Sequence, residues 1–461
     1  MTEYIVAKDG TGDFTTIQAA ANIAIAGDIV HVKPGTYNER LIPINSGTSN
    51  NYIKFISTVK HGAIIDARGL SSQYGTLYLM GKDWLWVEGF KIYSPTGENA
   101  IAGGKRTPGG ECAHYTVIKN NYITVPAGAN AGIRVGGSGG WNTVGCNGYI
   151  KIDGNYLYNP RYPDCTGDEE TISVSDTDNA EVMNNTIEHS SAISIDLKSG
   201  CTNSTIHHNT IIDSATSGIK IDGYSDYSGN IDVYNNLITG ARTDCWGNVG
   251  IIVYNECGAM GDNTSLIENV NIYNNIIYDV YTNGIQIGGN RQCDDNVGTL
   301  RNVRVFHNTI VRCRKQGIRL YEAVGTPLED VQIKNNLISG NIDGDNILND
   351  TDHVPNLVIS HNHYTNDWGG EKGTDYTTGD PLFVSTTDFH ITSSSPAKDA
   401  GATLGSPYNI DFDGNVRPIG SAYDIGAYEY NSIPCPSLQI QISMSGAIPS
   451  LWTLDHTPKE Y

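Results

Sequence analysis

Two aspartates and two lysines occupy matching places in two successive short phrases, Ile195-Asp196-Leu197-Lys198 and Ile219-Lys220-Ile221-Asp222, with Asp168, Glu169 and Glu170 a little upstream. Amines gathered among carboxylates can serve removal of a weakly acidic proton from a carbon beside a carboxylate. In a uronate sugar the C5 proton becomes acidic once the neighbouring carboxylate is neutralised, which a hard cation such as Ca²⁺ held by carboxylates can do. A lysine crowded by other cations is favoured in its neutral form and can then act as general base. The same four residues also make sense as cross-strand ion pairs, each contributing roughly 0.2–1 kcal/mol.

Such residues act together only if the elements carrying them stack. A phrase of apolar-polar-apolar residues, then Asn-Asn or His-Asn, then an aliphatic pair recurs along the chain, as in Val117-Ile118-Lys119-Asn120-Asn121-Tyr122-Ile123. Its second Asn returns as Asn155, Asn185, Asn209, Asn236, Asn275, Asn308, Asn336 and Asn362, at spacings from 24 residues (Asn185 to Asn209) to 39 (Asn236 to Asn275). A persistent phrase with a variable period is the mark of a solenoid. The local alternation has period two, as in Ile231-Asp232-Val233-Tyr234 and Gly284-Ile285-Gln286-Ile287, so the units are strands.

Short strands separated by Asn and Gly turns cannot bury an apolar face alone. The expected fold is therefore all-β, a right-handed parallel β-helix from about Gly27 to Asn362 with coils about 4.8 Å apart. The recurring second Asn should stack as an internal amide ladder. Thr15-Thr16-Ile17-Gln18-Ala19-Ala20-Ala21 reads as a short amphipathic helix, about Thr16 to Ala24, covering the N-terminal end of the core. Residues 1–430 make one domain with its finishing segment, and 431–461, richer in Pro and Ser and without the repeat, read as a tail or linker.

Aligning the Gly-Ile-x-Ile strands with isoleucines inward puts Arg134, Ser173, Ser194, Lys220, Ile252, Gln286 and Arg319 in one outward row. A second row holds Ser175, Asp196, Asp222, Tyr254 and Tyr321. Arg319, Tyr254 and Tyr321 are then placed to bind sugar along the same groove.

Composition excludes several classes of function. At 461 residues and a formal charge of −21, the chain repels polyanions at long range, so nucleic acid is not an expected partner, and an acidic glycan needs a cation or a local basic strip. No apolar run reaches the length of a membrane span. Nine cysteines, Cys165 and Cys201 among them, suggest some disulfides in an exported protein, although no signal peptide is visible.

The opening Lys8-Asp9-Gly10-Thr11-Gly12-Asp13-Phe14-Thr15-Thr16-Ile17-Gln18-Ala19-Ala20 resembles the start of pectin methylesterases and many pectate-lyase-like β-helices. The paired-aspartate phrase of the methylesterases is absent, as are the Asp-Asp and Gly-His-Gly phrases of polygalacturonases. Glu170-Thr171-Ile172, Lys198-Ser199 and Lys220-Ile221-Asp222-Gly223 resemble phrases of β-helix alginate lyases and chondroitinases, and also the ninth polysaccharide lyase family, whose lysine is the base. The first comparison expects Arg where Lys220 stands, and the second expects two further aspartates where Ser191 and Ala192 stand.

This resemblance implies an extracellular or cell-surface lyase cleaving an acidic polysaccharide by β-elimination. Lys220 is then the base, with Lys198 the second choice, and Glu169, Glu170, Asp196, Asp168 and Asp222 lie around a Ca²⁺. The rival readings are a non-catalytic surface or assembly subunit, and a glycoside hydrolase using Asp196 and Asp222 as its carboxylate pair.

Overall fold

A computed structural model describes residues 1–71, 75–79, 81–104, 113–125, 131–136, 146–159, 170–223, 227–240, 247–255, 266–289, 299–321, 327–351, 353–366 and 369–431. Almost all regular structure in it is short strand, arranged in three parallel sheets of 13, 13 and 10 strands, here sheets A, B and C. Each coil contributes one strand to each sheet in turn, as Thr202–His207 (A), Thr210–Ser214 (B) and Ser217–Asp222 (C) do around Lys220. Successive coils pair in register, and this is the expected parallel β-helix.

Alternation builds the core. In sheet C, Ile133, Ile172, Ile195, Ile219, Ile251, Ile285, Ile318 and Ile347 stand directly above one another, and all are fully buried. β-Branched side chains suit this arrangement, because their restricted rotamers pack against identical neighbours one strand spacing away.

The A-to-B bend is set by the Asn phrases. The first residue of each pair takes a left-handed conformation (Asn120, φ 54°; Asn184, 56°; His208, 55°; Asn235, 53°; Asn274, 53°; His307, 55°), which only Gly, Asn, Asp and His enter at small cost. Gly154 fills the same place before Asn155. That requirement explains why the phrase reads Asn-Asn, His-Asn or Gly-Asn. The second Asn turns inward, its amide donating to the Oδ1 of the next coil's Asn at 2.9–3.0 Å from Asn121 through Asn362. The ladder closes at its N-terminal end on Phe90, whose N–H donates to Asn121 Oδ1.

Two expectations at the ends need correction. Strand pairing begins at Glu3–Val6, in register with Ile29–Val32, rather than at Gly27; four residues were too short to show as a repeat. The helix is a single turn, Ile17–Ala21, shorter than Thr16 to Ala24. The Thr16 side chain accepts from Ala19 N, and Glu39 takes the N–H groups of Ile17 and Gln18 at 2.9 Å each.

Past the last coil, residues 380–430 fold back on the outer face of sheet B. Phe389 and Ala427 pack on Ile276 and Val311, and a fully buried Arg417–Glu429 pair (2.8 Å) anchors the segment. His390 bridges Asp388 (2.5 Å) and Asp413 (2.8 Å) while stacking on Tyr428. Cys201 and Cys313 are buried free thiols, so Cys201 is not in a disulfide; burial pushes its thiol up to about 12. Cys165, Cys245, Cys257 and Cys293 lie outside the described residues, as does the tail from 432. Among the described residues no helix is long and apolar enough to cross a membrane.

Asn236→Ala should lower unfolding free energy by roughly 2–4 kcal/mol, because it orphans buried donors on Asn209 and the Ile206 carbonyl. Denaturant titration checks this, and a loss under about 0.5 kcal/mol would mean that the ladder carries no stability. For His390, burial lowers the pKa, but hydrogen bonds and charge from Asp413 and Asp388 raise it overall to about 9. A raised folded-state value contributes stability that is complete below the unfolded value near 6.5 and lost as pH climbs through about 9. The stability difference between the wild type and His390→Gln should shrink across that window in thermal melts, and a constant difference would rule the linkage out.

Candidate functional site

The register of sheet C revises the charged face. Arg134 pairs with Ser173, Ser173 with Asp196, and Asp196 with Lys220, followed by Ile252, Gln286 and Arg319. The next outward row runs Gly136, Ser175, Lys198, Asp222 and Tyr254. Asp196, not Ser194, therefore neighbours Lys220, and Lys198 joins the row of Asp222. Ser194 is buried and bonds Ser214 at 2.5 Å. The result is a two-by-two block of alternating charge on adjacent coils.

Within this block each charge meets its opposite at close range. Lys220 Nζ lies 3.0 Å from Asp222 Oδ2 and 5.3 Å from the centre of the Tyr254 ring. Lys198 Nζ pairs with Glu170 Oε1 and approaches Asp196 Oδ2 at 3.5 Å. These are not surface pairs: the side chains of Asp196 and Asp222 are 0% exposed, and those of Lys198 and Lys220 only 19% and 12%.

Electrostatics sorts the roles. Burial lowers the Lys198 pKa, but Asp196 and Glu170 outweigh it and hold the ammonium above its ordinary value. Lys198 is thus kept charged, which argues against it as a base. Burial holds the Glu170 carboxyl above the usual range despite Lys198. Two carboxylates around one ammonium would leave a buried net negative charge, and a proton on Glu170 removes it. Both Asp196 oxygens are buried without a hydrogen bond, and Lys198 supplies the charge partner of Oδ2.

Asp168 and Glu169 lie outside the described residues. Among the described residues no group of three or more His, Cys, Asp or Glu side chains could hold a metal ion. Lysine ammoniums sit between Glu170, Asp196 and Asp222, so these carboxylates do not by themselves fit a calcium cage, which wants six to eight oxygens.

Arg319 lies three coils beyond Lys220, roughly 14 Å away at the ordinary strand spacing. It pairs with Asp350 at 2.6 Å and lies over Tyr321 at 4.4 Å. It also lines a cavity of about 500 Å³ with Arg314, Lys315 and Tyr281. Sequence reasoning missed Arg314 and Lys315; the signal was the basic run Arg312-Cys313-Arg314-Lys315 in an acidic chain.

The family model for a right-handed beta helix region matches residues 77–269. A search of curated proteins returns no match. Among solved structures, a complex of XylC with xylose aligns at 14% identity over 92% of this chain and 98% of that one, with a TM-score of 0.60. The pectate lyase Pel9A aligns at 15% identity over 94% and 97%, with a TM-score of 0.50. A family GH136 lacto-N-biosidase from Eubacterium ramulus aligns at 12% identity over 82% and 66%, also with a TM-score of 0.50. Identities this low carry the fold and not the side chains: the chain has the right-handed parallel β-helix fold of the pectate-lyase-like proteins.

Proposed function

We propose that this protein is an extracellular polysaccharide lyase that cleaves an acidic glycan by β-elimination on the face of sheet C. The observation that carries this reading is the block itself, in which the fully buried Asp196 and Asp222 alternate with Lys198 and Lys220 on adjacent coils of one outer face. Buried titratable groups of opposite charge gathered on an outer face are the kind of cluster found at working sites. Lys315, beside the Arg314–Asp343 (3.4 Å) and Arg319–Asp350 (2.6 Å) pairs, leaves this stretch of the face with one excess positive charge, which supports an acidic substrate in a chain whose overall charge would repel one.

In this reading the Lys198 ammonium meets the uronate carboxylate and makes the C5 proton acidic. Lys220 takes that proton, the C4–O bond breaks, and a C4=C5 double bond forms in the sugar. Lys220 must first be neutral. Substrate covering the site removes water, and the buried Lys220–Asp222 charge pair then collapses to amine and carboxylic acid at lower cost. Glu170, which burial favours in its protonated form, supplies a proton to the departing oxygen. No step is routed through Ca²⁺, and its expected contribution is tested by adding or chelating it.

Glu170 and Asp196 favour a second reading. Two carboxyl groups against one Lys198 ammonium, with that of Glu170 pushed upward by burial, are also an arrangement for glycoside hydrolysis.

One assay separates them. Pectate, alginate, glycosaminoglycan and neutral glycans are incubated with and without Ca²⁺, and unsaturated uronate absorbance is followed beside new reducing ends. Elimination raises both signals, whereas hydrolysis raises reducing ends alone. Lys220→Arg keeps the charge opposite Asp222 but cannot act as a base, so it should cut elimination by about 10²–10⁴-fold with an unchanged melting temperature. Survival of lyase activity within a few fold would remove Lys220 from the mechanism. Glu170→Gln should abolish hydrolysis if that is the activity observed, while Lys220→Arg should then retain most of it.

A further inference from the structure

A second cavity, of about 380 Å³, lies on a different face, where the end of sheet A meets the returning segment 407–414. It falls within the range of about 300–1,000 Å³ typical of small-molecule sites. Tyr234 and Tyr273, the last residues of their sheet A strands, stack on each other at 5.0 Å and 7°. Tyr234 also stacks on His207 at 4.7 Å and 10°, and among the described residues neither tyrosine hydroxyl has a hydrogen bond. Asn235, also in the lining, is 92% buried and its Oδ1 has no partner.

That vacancy is held in place by a proton chain. Burial keeps His208 and His207 neutral at neutral pH, His207 down to about 4. The Asn235 amide donates to His208 Nε2 (3.2 Å), and His208 Nδ1–H donates to His207 Nδ1 (2.7 Å). The orientation follows from hydrogen-bond complementarity. It commits the amide nitrogen of Asn235 and leaves its oxygen as an acceptor.

We propose that this cavity binds a neutral sugar residue. The uncommitted atoms, two phenol hydroxyls and one amide oxygen, call for a ligand carrying alternating donors and acceptors, which is the chemistry of a sugar's hydroxyls. Among the described residues no Lys or Arg lines the cavity, so there an anionic sugar finds no counter-charge. Its two carboxylates are already engaged, Asp411 by Asn415 and the Glu429 N–H, and Asp413 by His390, which disfavours a cation as the occupant. The proposal stands independently of the lyase reading, since the cavity shares no residue with sheet C.

Saturation-transfer NMR and calorimetry on the full chain test it, with xylohexaose and cellohexaose as probes and trigalacturonate as the anionic control. At least one neutral oligosaccharide should bind, and trigalacturonate should bind more weakly. Tyr234→Ala and Asn235→Gly, the latter keeping the left-handed backbone, should each weaken binding at least tenfold, and Tyr234→Phe should weaken it severalfold while preserving the ring stack. Lys220→Arg should leave binding unchanged. The proposal is overturned if neither neutral probe receives saturation, if trigalacturonate binds more tightly, or if binding survives intact in Tyr234→Phe and Asn235→Gly proteins with native circular dichroism.

Discussion

Everything on the outside of this protein depends on the hydrogen-bonded stacking of Asn121 through Asn362. A parallel coil has no hairpin to set its register, and sliding one strand by a residue would turn its apolar set outward. The ladder resists that slip. Each buried amide is satisfied only when the Asn above and below stand in line, so misplacing one coil orphans several buried polar groups at about 1–3 kcal/mol each. Coils from 24 to 39 residues long can then share one register, because insertions are taken up in connections while the bend stays fixed.

With the register fixed, chemistry on the outer face becomes a matter of which residues fall in one row. Asp196 beside Lys220 and Lys198 beside Asp222 follow from backbone pairing alone. What makes the block unlike a surface ion pair is burial. An exposed pair is worth roughly 0–1 kcal/mol and is screened by salt, whereas removing one partner of a buried pair costs roughly 3–5 kcal/mol. The four residues therefore stand or fall together, and a probe of the block must preserve its charges.

The repeat was legible because its cause is local: a left-handed residue followed by an inward amide leaves Asn-Asn, His-Asn or Gly-Asn in every coil. The composition of the charged cluster was legible for the same reason, as outward polar positions in alternating strands. Its arrangement was not. Ile193-Ser194-Ile195-Asp196-Leu197 alternates over five residues, so alignment on Gly-Ile-x-Ile fits equally well two residues apart. Only the pairing of Ile195 with Ile172 and Ile219 chooses between the two fits. Likewise the Lys198 ammonium read as a second base until its two buried carboxylate neighbours were seen to hold it charged.

Two strands consecutive in the chain, on different sheets, carry the block on sheet C and one wall of the second cavity. Ser217–Asp222 and Ser228–Tyr234 follow each other in the chain, the first carrying Lys220 and the second ending at Tyr234. One face concentrates buried charge; the other places two tyrosines and the Asn235 amide beside the returning C-terminal segment. Charge-directed binding weakens with salt and with the protein's own −21, while hydroxyl-directed binding is indifferent to both. A solenoid permits this separation because each face is built from its own rows: substitutions that tune charge on sheet C leave the pairing beneath Tyr234 untouched, since neighbouring coils communicate through the shared core and not across their outer faces.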